Sequence, residues 1–251
     1  MSTWVLLRGL TRESRHWGGF AAAFAEQVPD AHVIALDLPG NGRMNHLRSP
    51  LRVEAMAQHC RAELRAHAVP PPYHLLAMSL GAMVATAWAA VAPDEIERCV
   101  LVNTSLRPFN PFWQRLRPAS YLQLLRLMLW PHADRAAEEA IFRLTSRQRA
   151  AGDVLERWVA WRRDAPVSRA NALRQLWAAA RYRAPPQRPA PPTLLLASRG
   201  DCLVDSRCSL ALVAAWRCAL ATHPNAGHDL PLDDAPWVAR QVREWLRALG
   251  D

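Results

Sequence analysis

YHLLAMSLGAMVATAWAAVAP, residues 73–93, contains no Asp, Glu or Arg. It changes character at Ser79. Residues 73–78 are a short apolar run behind Pro70-Pro71-Pro72, the pattern of a strand buried on both faces. Residues 80–91 are rich in Ala, a strong helix former, and stop before Pro93. The reading is strand, sharp turn, helix, with Ser79 in the turn. Strand and helix diverge so narrowly there that the positions two before and two after the serine have little room for side chains. Ala77 and Gly81 meet that need, Ala77 with one methyl more than the glycine usual at its position. The stretch is also about long enough to cross a bilayer. Prolines at both ends and the Ser79-Leu80-Gly81 interruption argue against that, so no membrane span is expected. A small-x-Ser-x-Gly pattern arises easily by chance, given the ordinary frequency of Gly and Ser. Its surroundings must decide.

Working outward, residues 4–7, 32–38, 99–102, 193–197 and 218–222 read as five more strands. Residues 17–27, 53–67, 206–215 and 235–249 read as helices. In 53–67 the residues Val53, Met56, Ala57, Cys60 and Leu64 share one helical face. Pro39-Gly40-Asn41-Gly42 is a strong turn cluster. Strands alternating with helices imply βαβ units and a mostly parallel sheet with helices on both faces. The strands are continuous apolar runs, as expected when both faces are covered. The pattern breaks at 107–183, which holds no strand. Four helices are predicted there, at 111–130, 134–145, 153–163 and 168–181. Their apolar faces come from Trp113, Leu116, Leu124, Leu127, Met128, Ile141, Leu144, Trp158, Trp161, Leu173, Leu176 and Trp177. The prolines of 185–192 end the segment. The expected organisation is an α/β core of residues 1–106 and 184–251 with a helical cap at 107–183.

A chain of 251 residues, 51% hydrophobic and 21% charged, suits one globular domain with such an insertion. The opening residues show no basic segment, apolar run and cleavage site, so no signal peptide is expected. Cys60, Cys99, Cys202, Cys208 and Cys218 are odd in number and form no C-x-x-C pair. They read as reduced thiols of a cytoplasmic protein, neither a disulfide framework nor a zinc site; no metal or cofactor is expected. The formal charge is +9 and every basic residue other than His is Arg. Residues 107–183 hold 15 of the 31 arginines but 6 of the 22 acids, so the whole excess sits in the proposed cap.

A serine hydroxyl is a poor nucleophile at neutral pH. It needs a base to take its proton and a third group to orient that base. In an open parallel sheet such groups come from loops at the carboxyl ends of strands. Asp201 follows the 193–197 strand, in Arg199-Gly200-Asp201-Cys202-Leu203-Val204. His228 follows the last strand, in Ala226-Gly227-His228-Asp229. The order Ser79, Asp201, His228 is a known order for a catalytic triad. Asp201 is also a plausible turn residue, Asp205 is a rival acid, and His223 lies near His228 but next to the strand end. Asn103 follows the fourth strand, where an acid can stand, but an amide cannot stabilise an imidazolium as a carboxylate does. A developing oxyanion needs N–H donors. Leu80, opening the helix after Ser79, supplies one, and Leu10, in the loop after the first strand, is the best placed second.

These motifs together resemble the α/β-hydrolase superfamily over almost the full chain. The matching stretches are Leu7-Arg8-Gly9-Leu10, Asp37-Leu38-Pro39-Gly40-Asn41-Gly42, Ala77 to Gly81, Gly200-Asp201 with Leu203-Val204, and Gly227-His228. The helical segment after Asn103-Thr104-Ser105 matches the family's cap in position. Arg8 and Asn41 depart from the pattern, since each stands where His is common. The segment Arg12-Glu13 to His16-Trp17 reads as a core ion pair and a packed Trp17. Size and a four-helix cap resemble small capped esterases of the pimeloyl-acyl-carrier-protein methyl ester esterase type.

The resemblance implies a serine hydrolase that cleaves a carboxylic ester or thioester through an acyl-enzyme on Ser79. It also implies an acidic acyl carrier protein as partner for the basic cap. The alternative within the fold is a lyase or C–C bond hydrolase acting on an anionic substrate, similar to the menaquinone-pathway synthase. Nucleic acid is not an expected partner, because no aromatic-basic stacking motif or recognition helix stands out.

Overall fold

The computed structural model describes residues 2–130, 132–148 and 152–250; the side chains of Met128, assigned above to an apolar face, and Leu129 lie outside the described set. Six strands form one sheet in the order β2-β1-β3-β4-β5-β6: β1 Ser2–Leu7, β2 Ala31–Leu36, β3 Tyr73–Met78, β4 Ile96–Val102, β5 Thr193–Ser198 and β6 Ala219–His223. Every neighbouring pair is parallel. A parallel sheet needs a crossover between strands, and crossovers put helices on its faces. The helices that supply this cover are α1 Phe20–Gln27, α2 Val53–Ala66, α3 Leu80–Val91, α9 Arg207–Trp216 and α11 Ala235–Leu249.

Strand alternation sorts the core into two layers. On one face Val5, Leu7, Leu75 and Leu101 meet α2, α3 and α9 through Met56, Leu64, Trp88 and Trp216. On the other, Trp4, Leu6, Leu76 and Val100 meet α1 and α11 through Phe24, Val238 and Trp245. β3 is buried at all six positions, as a strand covered on both faces should be.

Between β4 and β5 the chain runs through α4 Phe112–Arg115, α5 Tyr121–Leu129, α6 Asp134–Thr145, α7 Gly152–Asp164 and α8 Arg169–Arg181. The helix predicted at 111–130 is interrupted. Pro118 has no N–H to continue the hydrogen-bond ladder, and residue 117 takes an extended conformation ahead of it. α4 therefore stops after one turn, and α5 starts afresh behind a short 3-10 turn. The helix predicted from residue 17 begins at Phe20, because Ser14–Trp17 is a separate 3-10 turn and Gly18 has φ 53°. The strand predicted to end at Leu38 ends at Leu36, freeing Asp37 for the turn beyond it. The insertion's ends meet: Arg107 and Arg183 form a parallel bridge, and Ala184 N–H donates to the Arg107 carbonyl at 2.7 Å. A short helix absent from the sequence reading, α10 Leu230–Asp233, follows His228. Among the described residues no helix is long and apolar enough to cross a membrane.

Candidate active site

All strands are parallel, so the loops that leave their carboxyl ends gather along one edge of the sheet. The loop after β3 consists of Ser79 alone. Its φ is 54° and its ψ −115°, a conformation that costs a residue with a Cβ about 1–3 kcal/mol and persists only where its surroundings enforce it. Three contacts do so. Ser79 N–H donates to the Val102 carbonyl at 3.0 Å, Thr104 Oγ1 donates to the Ser79 carbonyl at 3.3 Å, and Gly81 lets α3 lie against the loop after β1. A Cβ on Gly81 would stand 2.6 Å from the Arg8 carbonyl oxygen and overlap that of Leu7. Ala77 is fully buried, so its methyl is accommodated in the core.

Asp201, in the loop after β5, is 2% exposed. Its Oδ1 accepts the N–H groups of Leu203 at 2.7 Å and Val204 at 2.9 Å. Its Oδ2 lies 2.7 Å from Nδ1 of His228, in the loop after β6. A carboxylate can only accept, so Nδ1 is the donor in this bond and Nε2 is left outside it. The rival acid Asp205 instead pairs with Arg207, whose hydrogen bond holds its carboxyl below the usual range. His223 is engaged with Asp234 at 3.2 Å.

Ser79 and His228 both line one cavity of about 490 Å³, together with Gly9, Leu10 and Leu80. Much of the remaining wall comes from the insertion, through Leu116, Leu124, Leu127, Ile141, Leu144 and Leu176, which makes it largely apolar. Charged groups in the wall include Arg8, Arg12, Glu13, Glu138 and Asp229 around the loops after β1 and β6, with Arg115, Arg162 and Arg169 from the insertion. Burial, and then the nearness of Arg107, pulls the Arg115 guanidinium down to about 10. Burial, and then Arg12 and Arg8, holds His16 well below its ordinary value, so its ring is neutral.

Several side chains hold this arrangement together through partners that the sequence did not reveal. Asn103, with φ 45°, reaches across the edge: its amide donates to the carbonyls of His228 at 2.8 Å and Gly227 at 3.1 Å, and its oxygen accepts from Ser198 N–H. It fixes the backbone that carries the histidine. Arg12 pairs with Glu138 of α6 at 2.7 Å and stacks on Trp158, whereas Glu13 pairs with Arg15; the core ion pair is thus between loop and insertion. Trp17 is packed in the core, as expected. Asp37 accepts from the backbone of Ser14 and Arg43, and Asn41 bridges the Arg12 carbonyl and Gln175. Arg8 is buried against Asp229, the residue after His228. For that last pair the sequence offered only Arg8, standing where His is common, and nothing in sequence spacing joins residues 221 apart. The five cysteines are free thiols, and among the described residues no group of His, Cys, Asp and Glu could hold a metal ion.

A parallel sheet with helices on both faces, a helical insertion after its fourth strand and a strained serine at a strand-to-helix turn define the class of α/β hydrolases. The chain belongs to this group: residues 4–241 match the model of the alpha/beta hydrolase family. Among curated proteins it is similar to the pimeloyl-[acyl-carrier protein] methyl ester esterase of Chromobacterium violaceum, 33% identical over 161 residues. That match covers 63% of this chain and 54% of the relative, so it spans about half the relative's length. Among solved structures, a thermophilic esterase from Thermogutta terrifontis superposes with TM-score 0.77 at 20% identity, over 99% of this chain and 90% of that one. A hydrolase from Pseudomonas aeruginosa PA01 gives 0.78 at 21%, over 98% and 89%. At such identities these two likenesses speak for the fold alone.

Proposed function

We propose that the protein is a serine hydrolase cleaving a carboxylic ester or thioester, with Ser79 as nucleophile, His228 as base and Asp201 as its orienting acid. One observation carries this: His228, hydrogen-bonded to Asp201, lines the same cavity as the strained Ser79 turn. His228 Nε2 takes the proton as Ser79 Oγ bonds to the carbonyl carbon. The carbonyl oxygen gains the charge and is stabilised by the N–H groups of Leu10 and Leu80, the latter at the positive end of α3. Collapse expels the alcohol or thiol with the proton from His228, leaving an acyl group on Ser79. Water, deprotonated by the same Nε2, then releases the acid. Asp201 stabilises the imidazolium in both halves.

Residues 107–183 act as the cap that sets the acyl pocket, since their side chains supply most of its apolar wall. The bridge between Arg107 and Arg183 supports that division. An acidic acyl carrier protein is the partner this cap suits. Asp134, Glu138, Glu139 and Glu156 pair with the insertion's own arginines, while Arg107, Arg126, Arg157, Arg181 and Arg183 stand exposed on it. The relative's name points to an ester of that kind, and we place the protein in the cytoplasm. The test is turnover of short p-nitrophenyl esters by the wild type and Ser79→Ala. The variant should lose at least about a thousandfold in kcat; equal rates would sink the reading.

The five arginines in the cavity wall, Arg8, Arg12, Arg115, Arg162 and Arg169, favour a second reading, a lyase or C–C hydrolase acting on an anionic substrate. Failure of a fluorophosphonate probe to label Ser79, with activity retained on a dicarboxylate, would select it.

A further inference from the structure

We propose that Arg8 and Asp229 are a positioning pair that sets the oxyanion loop against the histidine loop. The inference rests on the serine-hydrolase reading above. Nη1 of Arg8 donates to Oδ1 of Asp229 at 3.0 Å, and Nη2 donates to Oδ2. The guanidinium and carboxylate planes are thus locked by two parallel bonds, which fix orientation as well as distance. Both side chains are 2% exposed, so water competes little for either. The Arg8 guanidinium also lies 4.9 Å from the centre of the Trp17 ring, which holds its stem against the core.

The location gives the pair its consequence. Arg8 is two residues before Leu10, and its carbonyl is one of the groups against which Gly81 packs. Asp229 is the residue after His228, and its N–H donates to the Thr145 carbonyl, at the end of α6, at 2.7 Å. One ion pair therefore ties together the loop that supplies an oxyanion donor, the loop that supplies the base, and the insertion above them. Both groups also line the cavity, where a bulkier or mobile substitute would disturb the reacting carbonyl. A buried ion pair adds little net stability over an apolar pair of similar volume. What it does supply is directional geometry, and that geometry matters most for a reaction whose donors must meet an oxygen that exists only in the transition state.

The experiment measures kcat and KM for a p-nitrophenyl ester with the wild type, Arg8→Lys, Asp229→Asn, Arg8→Met/Asp229→Leu and Ser79→Ala. Removing one partner strands a buried charge, so the single variants are accompanied by the apolar double variant, which strands none. The pair predicts that the folded double variant loses roughly 10- to 100-fold in kcat, the scale of a ~1 Å misplacement, with KM within about twofold. Arg8→Lys, which keeps the charge but not the fork, should recover part of that loss. A folded double variant with wild-type kcat would overturn the proposal. So would a rise in KM at unchanged kcat, which would make the two residues substrate-binding groups. If Ser79→Ala keeps full activity, the hydrolase reading itself fails. If Ser79→Ala is inactive and the double variant is not, this inference fails alone.

Discussion

Replacing Gly81 by Ala tests how tightly the serine turn is held. The added Cβ would lie 2.6 Å from the Arg8 carbonyl oxygen and 2.8 Å from the Leu7 carbonyl carbon. Ordinary carbon contacts begin near ~3.5 Å, so α3 must retreat from the loop after β1 by roughly 1 Å. The obstructing atoms are backbone of a fully buried strand end and cannot swing aside. Overpacking of this kind costs about 1–3 kcal/mol, against which Ala returns up to ~1 kcal/mol of helix propensity. The net loss, about 1–2 kcal/mol, should lower the melting temperature by roughly 2–8 °C in a chain of this length. The larger effect is on catalysis. Ser79 and Leu80 ride on the start of α3 while Leu10 rides on the loop it is pushed from, so the retreat separates the proposed nucleophile from the proposed donors. Misplacement by ~1 Å is worth about a hundredfold in kcat. Calorimetry and p-nitrophenyl ester kinetics on the same preparation read both quantities. A Gly81→Ala protein that melts at or above the wild-type temperature with undiminished kcat would refute the close-approach argument.

Two other outcomes follow from the same geometry. Asn103→Leu orphans the carbonyls of Gly227 and His228, at about 1–3 kcal/mol each, so its urea midpoint should fall clearly, and kcat with it as the histidine loop loosens; an unchanged midpoint would mean that Asn103 holds nothing. His16 stays neutral in the folded chain but takes a proton near pH 6.5 when unfolded. The unfolded state therefore binds the extra proton below that pH, so the stability His16 confers is present above about pH 6.5 and is lost as the pH falls. Urea midpoints of wild type and His16→Gln should converge between neutrality and about pH 5; parallel curves would show that the ring is not the titrating group.

The fold was legible because its signals are local. Six apolar runs broken by Pro and Gly clusters located six strands, and the helices whose apolar faces repeat cleanly, α3, α6 and α11, were read to the residue. The misreadings arose where two local rules competed. At 111–130 the apolar spacing extended a helix across Pro118, yet a missing N–H outranks spacing. At 17–27 the first turn wound as a 3-10 helix before Gly18 let the chain change direction. α10 is a single turn, too short to leave a periodic trace.

The site divides along the same line. Sequence alone determined the chemistry present: which residue types stand just after which strands, in what order, and that Ser79 sits between residues small enough for a tight turn. It also confined the positive excess to residues 107–183. Only the tertiary structure decided partnership. That Asp201 and not Asp205 meets the histidine, that Arg12 reaches Glu138 of the insertion while its neighbour Glu13 turns to Arg15, and that Arg8 closes on Asp229 all depend on where crossovers return the chain. Local interactions fix backbone conformation within a few residues, and spacing records them. A hydrogen bond across two hundred residues is fixed by the packing of the whole sheet, and no short stretch of sequence carries it.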